Sequence, residues 1–196
     1  MRKHYVVRRM ALSSILAALY LILCLADFSY GRFKFTLAAL VPIFVSLALP
    51  PIDAISVCLL GVFLDQLVYG LSPTTALWMV PPLLRPALII PFTYFIEKKG
   101  GHMENHKVLS VILISVSSLL VSAANSLALY LDSIIYGYPY AAVLVDNILQ
   151  ALLTMGTGIL LCFLIFPLIK ALRKADLLFP FTFKRKINQE GNQEDL

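Results

Sequence analysis

The sequence predicts an all-α integral membrane bundle of six transmembrane helices with N- and C-termini cytoplasmic. Three observations predict it. Of the 196 residues, 60% are apolar and 14% charged, with a mean hydropathy of +0.85, whereas a soluble domain carries roughly 25% charge and a disordered one has low hydrophobicity. Apolar segments recur at about 10–26, 35–49, 51–69, 76–96, 108–131 and 141–169, and a helix needs about 20 residues to cross the hydrocarbon core. Finally, thirteen of the sixteen Lys and Arg residues lie in the N-terminal stretch, after the fourth segment or in the C-terminal tail. Those regions share one side if there are six crossings, and the positive-inside rule makes that side cytoplasmic. The net charge of +5 is thus a topology signal that requires no nucleic acid. Residues 1–175 read as the transmembrane domain and 176–196 as a basic and polar cytoplasmic tail.

The first segment follows Arg2, Lys3, Arg8 and Arg9, as a signal peptide would. It runs into Asp27-Phe-Ser-Tyr-Gly without a small-x-small cleavage site, so an uncleaved first helix is expected. The second is short and pinned by Pro42 and Pro50-Pro51; it is tilted, buried against protein or only partly crossing. The fourth carries Pro81, Pro82, Pro86 and Pro91. Each removes a backbone hydrogen bond, tolerable in a membrane only where protein or a water-lined cavity satisfies the freed carbonyls. A kinked packing helix would suffice, but Arg85 lies in the same stretch and favours a cavity.

Arg85 follows Ala76 by nine residues, about 14 Å below the outer surface. Arginine at such depth costs at least ~2.5 kcal/mol unless it meets a polar interior. Asp65 and Gln66, Asn125, and Asp146, Asn147 and Gln150 lie at similar depth on other segments. Ser118, Ser122 and Asn125 share one helix face, and Asn147, Gln150 and Thr154 share another. These stripes either line a small-molecule site or hydrogen-bond to each other as helix glue.

The outward ends repeat a pattern: Asp27-Phe-Ser-Tyr-Gly31, Asp65-Gln-Leu-Val-Tyr-Gly70 and Asp132-Ser-Ile-Ile-Tyr-Gly137. Glycine ends helices and tyrosine suits the interface. The aspartates oppose the helix dipole, so each needs a partner: its own tyrosine, Arg32, Lys34 or Arg85. An Asp65–Arg85 pair is one expectation, within three parallel helical hairpins. Among the outer aromatic residues, Trp78 is the expected stacking platform for a flat ligand.

Cys24, Cys58 and Cys162 lie in apolar runs without metal or disulfide spacing and read as small buried hydrophobes. His102 and His106 have i,i+4 spacing, but Gly100-Gly101 argues against a helix there, and no metal site is assigned. No GxxxxGK[ST] loop, HExxH or GxSxG motif occurs, so neither ATP hydrolysis by a phosphate loop nor catalysis is expected, and no cofactor is implied.

The basic N-terminus leading into Met10-Ala-Leu-Ser-Ser-Ile-Leu-Ala-Ala-Leu19, the short proline-flanked second segment and Gly61-Val-Phe-Leu-Asp65 are similar to the substrate-binding S components of energy-coupling factor (ECF) vitamin transporters. The stretch Asp65–Arg85 resembles the same region of that family, and the likeness covers roughly residues 5–175. It implies a subunit of the prokaryotic cell membrane that captures a water-soluble vitamin or related nutrient in an outward-facing pocket. Uptake would be driven by a coupling transmembrane subunit and two cytoplasmic ATPase subunits. The expected substrate residues are Asp65, Trp78, Arg85, Asn125, Asp146, Asn147 and Gln150. The family's alanine-x-x-x-alanine docking surface on the first helix matches Ser13/Ala17 and Ser14/Ala18, with serine in the first place. The competing readings are a stand-alone proton-coupled secondary transporter using Asp65 or Asp146, and a membrane-embedded lipid enzyme with an Asp-Arg site.

Overall fold

A computed structural model describes residues 2–26, 28–30, 33–35, 37–175 and 178. Among the described residues there are six α-helices: α1 (Arg2–Leu25), α2 (Leu40–Ala48), α3 (Pro51–Tyr69), α4 (Thr75–Lys98), α5 (Lys107–Tyr136) and α6 (Ala141–Lys174). A one-turn 3-10 helix, Met103–Asn105, joins α4 to α5. Two three-residue strands, β1 (Phe28–Tyr30) and β2 (Phe33–Phe35), pair antiparallel between α1 and α2. All the helices except α2 contain spans long and apolar enough to cross a membrane.

The second segment is where expectation and structure part. Instead of a span over 35–49, the chain forms the end of β2 and then nine helical residues, about 13.5 Å of helix against a core of about 30 Å. Prolines set its bounds. Pro42 lies in the first turn, where backbone N–H groups lack helical partners anyway. Leu49, preceding Pro50, is extended (φ −109°, ψ 156°), as a residue before proline prefers. Pro51 then opens α3, where its fixed φ suits the first helical position. Every residue from Val41 to Ala48 is buried, so of the three alternatives for this segment two are realised together: the helix is buried against protein and is too short to cross.

Helix directions follow from contacts. The guanidinium of Arg9 donates two hydrogen bonds to Asp53, at 2.8 and 2.6 Å, joining the beginnings of α1 and α3. Further along, a β-carbon at Gly61 would overlap the Tyr20 ring, so glycine is what lets α3 lie against α1. The two helices therefore run parallel. At the same end, Arg173 of α6 bonds to Glu97 of α4 (2.9 Å) and pairs with Glu104 of the 3-10 turn (2.9 Å). We call this end basal and the opposite end apical. α1, α3 and α5 rise towards the apical end, as the three parallel hairpins require, while α4 and α6 descend. α2 starts at mid-depth, because the carbonyl of Ala39 is hydrogen-bonded to Arg85, halfway along α4. A helix thus fills this position only in the basal half. Above it stands the β-hairpin, with β2 packed against α6.

The apical ends use the expected glycines. Gly137 closes α5 in the left-handed region (φ 75°, ψ 22°), its N–H bonded to the Ser133 carbonyl. Gly70 closes α3 at φ 92°. Asp27 and Arg32 lie outside the described residues.

Candidate functional site

Arg85 lies on the buried face of α4 with Pro81, Ile89 and Thr93, and is 4% exposed. Its Nη2 donates to Ser118 Oγ of α5 at 3.2 Å, and its Nη1 to the Ala39 carbonyl at the start of α2, at 3.4 Å. Tyr20 of α1, Cys58 of α3 and Cys162 of α6 lie within electrostatic range of the guanidinium. Its two hydrogen bonds tie α4 to α5 and to the start of α2 at mid-depth. Gly158 of α6 completes this layer, since a β-carbon there would sit 3.2 Å from Ser118 Oγ, bringing α5 and α6 close. No ion pair joins Arg85 to Asp65 among the described residues. The expected pair is replaced by hydroxyl and carbonyl acceptors, and the Asp65 carboxylate lies near Tyr20 instead.

Helical geometry places the expected site residues relative to this layer. Asp65 follows Cys58 by seven residues, Asn125 follows Ser118 by seven, and Trp78 precedes Arg85 by seven. Seven residues return to nearly the same helix face about 10.5 Å along the axis. Gln150 stands eight residues, about 12 Å, apical of Gly158. Asp65, Trp78 and Asn125 thus stand at one height above Arg85, on the faces of α3, α4 and α5 that carry Cys58, Arg85 and Ser118, while Gln150 reaches a similar height about 80° around α6 from Gly158. All four are partly exposed. Trp78 and Asn125 make no side-chain hydrogen bond among the described residues, which leaves their donors and acceptors open to a ligand. Asp146 and Asn147 belong to the first turns of α6, but their side chains lie outside the described residues.

Several polar residues are occupied differently from the expectation of two facing stripes. Thr154 donates to the Gln150 carbonyl at 2.8 Å and Thr157 to the Leu153 carbonyl at 3.0 Å, each within α6. Such i−4 bonds satisfy a hydroxyl in an apolar setting without a partner helix. Asp132 accepts from Tyr138 at 3.1 Å, a tyrosine in the following turn, not its own Tyr136. Desolvation, then the hydrogen bond to Asp132, raises the Tyr138 phenol above its ordinary pKa, so it remains a donor.

The expected docking residues divide. Ala17 is 2% exposed and faces the bundle with the half-buried Ser13, whereas Ser14 and Ala18 are exposed. Of the two candidate pairs, Ser14/Ala18 is on the outer surface. Beside it, α1, α2 and α6 enclose an apolar basal groove of about 430 Å³ that includes Ala11, Ile15, Phe44 and Leu168.

At the basal end, ligand atoms of Glu97, His102 and Glu104 lie within 4.8 Å of one another. The Arg173 guanidinium already bridges both carboxylates, and His102 contacts Glu97 at 3.3 Å. An internal cation thus supplies the charge balance a metal would otherwise bring.

Sequence reasoning missed Tyr20, Ala39 and the hairpin. The hairpin had a signal: apolar Phe28, Tyr30, Phe33 and Phe35 alternate with Ser29 and Lys34 on either side of the dipeptide Gly31-Arg32. Ala39 had none, because a carbonyl acceptor is invisible in residue type. Cys58 and Cys162 are buried, as expected of small apolar residues.

A family model described as "ECF transporter, substrate-specific component" matches residues 8–180. No curated protein matches the chain.

Proposed function

The chain belongs to the ECF transporter substrate-specific component family, and from that premise we propose that it captures a water-soluble vitamin or related small nutrient in a chamber at its apical end. Family membership makes it a substrate-binding transporter subunit and a multi-pass membrane protein, and not an enzyme. In our reading the apical end faces outward and the basal end, with both termini, faces the cytoplasm. The chain then crosses six times, with the hairpin and α2 together making the second passage. Lys98, Lys99, Lys107, Lys170 and Lys174 all flank the basal end, which supports this orientation.

The observation that carries the proposal is the layered arrangement around Arg85. A buried arginine tied to Ser118 and the Ala39 carbonyl forms a floor. Seven or eight residues above it, four helices offer an acid, two amides and an indole. A flat ring would stack on Trp78, amides would be read by Asn125 and Gln150, and an anionic group would be drawn towards Arg85. Asp146 and Asn147 are proposed for the same rim. Uptake would be driven by a coupling membrane subunit and two ATPases, with the Ser14/Ala18 face of α1 as the docking surface, because small residues permit close helix approach.

Native mass spectrometry of the purified chain tests the reading directly. A retained nutrient identifies itself by mass, and its affinity should fall at least tenfold in Trp78→Ala. An affinity unchanged in both Trp78→Ala and Arg85→Ala would reject this pose. Uptake that survives loss of the ATPases but collapses with the proton gradient would instead favour a stand-alone carrier.

A further inference from the structure

We infer that the basal groove between α5 and α6 is a binding site for one anionic phospholipid of the adjoining leaflet. The groove has a volume of about 400 Å³ and is lined by Val108, Val111 and Ile112 of α5 and by Phe163, Phe166 and Pro167 of α6, with Lys107 at its basal mouth. Val108, Ile112 and Phe163 are exposed, at 76%, 53% and 71%. In a membrane-spanning chain such surface meets hydrocarbon, and its concavity fits an acyl chain.

Charge selects the headgroup. Lys170 lies one turn basal of Phe166 and Pro167 on the same face of α6, and Lys174 one turn further. Lys107 and Lys170 therefore flank the mouth from two helices, and all three lysines are exposed. None has an acidic partner among the described residues, because the nearby carboxylates Glu97 and Glu104 are taken by Arg173. A phosphate between Lys107 and Lys170 would supply the missing negative charge while its acyl chain follows the groove. Interfacial lysines attract anionic lipid at about 1 kcal/mol each, enough for two to set a preference. The site is separate from the nutrient chamber and independent of which compound is carried.

The test is lipid retention by the purified full chain, measured by native mass spectrometry with phosphatidylglycerol or phosphatidylcholine added at equal concentration. One phosphatidylglycerol should be retained about tenfold more tightly than phosphatidylcholine. Lys107→Gln/Lys170→Gln should abolish that preference, whereas the control Lys98→Gln/Lys99→Gln, at the basal end of α4, should keep it. Ile112→Trp, which fills the groove, should lower retention of both lipids, and thermal melting of each variant in detergent checks that it is folded. Equal retention of the two lipids by the wild-type chain overturns the proposal. So does a loss of preference equally large in the control variant, which would mean diffuse surface charge. A dimer signal lost in Ile112→Trp but indifferent to lipid would assign the groove to a second copy of the chain.

Discussion

In the basal half of the bundle six helices close around groups that satisfy one another, whereas the apical half has five helices, a hairpin and several polar side chains left partly uncovered. Basal Glu104 is 3% exposed and held by Arg173, and Arg9 meets Asp53 through two hydrogen bonds. Apical Trp78 and Asn125, at matching heights on α4 and α5, have no side-chain hydrogen bonds among the described residues. The border between the halves is the Arg85 layer. The lesson is a division of labour. Basal polar groups pair internally, while apical ones such as Trp78 and Asn125 have no side-chain hydrogen bond among the described residues and are the ones proposed to meet a ligand.

Gly61→Val should have the largest effect. Its side chain would have to displace the Tyr20 ring, at a cost of about 3 kcal/mol, read as a lower unfolding midpoint in detergent; Tyr20→Ala in the same chain should recover part of the loss. Glu104→Ala comes next, at about 2 kcal/mol, since it removes a buried partner of Arg173 while Glu97 still shares the charge. A double-mutant cycle on Arg85 and Ser118 should show a coupling of about 1.5 kcal/mol, appropriate to a charge-assisted hydrogen bond. The cycle on Arg85 and Asp65 should show none. A strong Arg85–Asp65 coupling would move the border layer and undo the comparison.

Asn125→Ala should have the smallest effect on stability, within about 0.5 kcal/mol, yet lower nutrient affinity at least tenfold. Similarly, Ser14→Leu should leave stability and binding unchanged but reduce energised uptake, measured with labelled nutrient in cells carrying the complete transporter. If Asn125→Ala instead destabilised the chain as much as Glu104→Ala, the apical polar groups would be structural and the contrast between the halves would vanish.

How far residues alone could be read differs from element to element. The long helices followed from apolar length, and their ends from Gly70 and Gly137. The special position of Arg85 followed from the cost of placing its charge in a membrane. The second segment was harder because hydropathy averages over a window. Phe33, Phe35 and the apolar run from Leu37 to Leu49 add up to a span, although they divide between a strand and half a helix. The site was read by depth, which is proportional to residue number along a helix, and that reading set Asp65, Asn125 and Gln150 level with Arg85, whereas the helices carry them about 10.5 to 12 Å apical of it. Partner choice was not readable. Arg85 bonds to a serine and a backbone carbonyl, and Asp132 takes a tyrosine from the next turn.

The sequence by itself determined that this chain lives in a membrane, which stretches become its long helices, and which polar residues must be shielded from lipid. Those properties depend on composition, spacing and charge, which are local. Only the tertiary structure decided that α2 stops at mid-depth beneath a hairpin, that Ser14/Ala18 faces outward while Ala17 faces in, and that Arg85 bonds to Ser118 and the Ala39 carbonyl and not to a carboxylate. The reason is geometric: a pairing between helices depends on their rotation and relative height, and neither is encoded in any one segment.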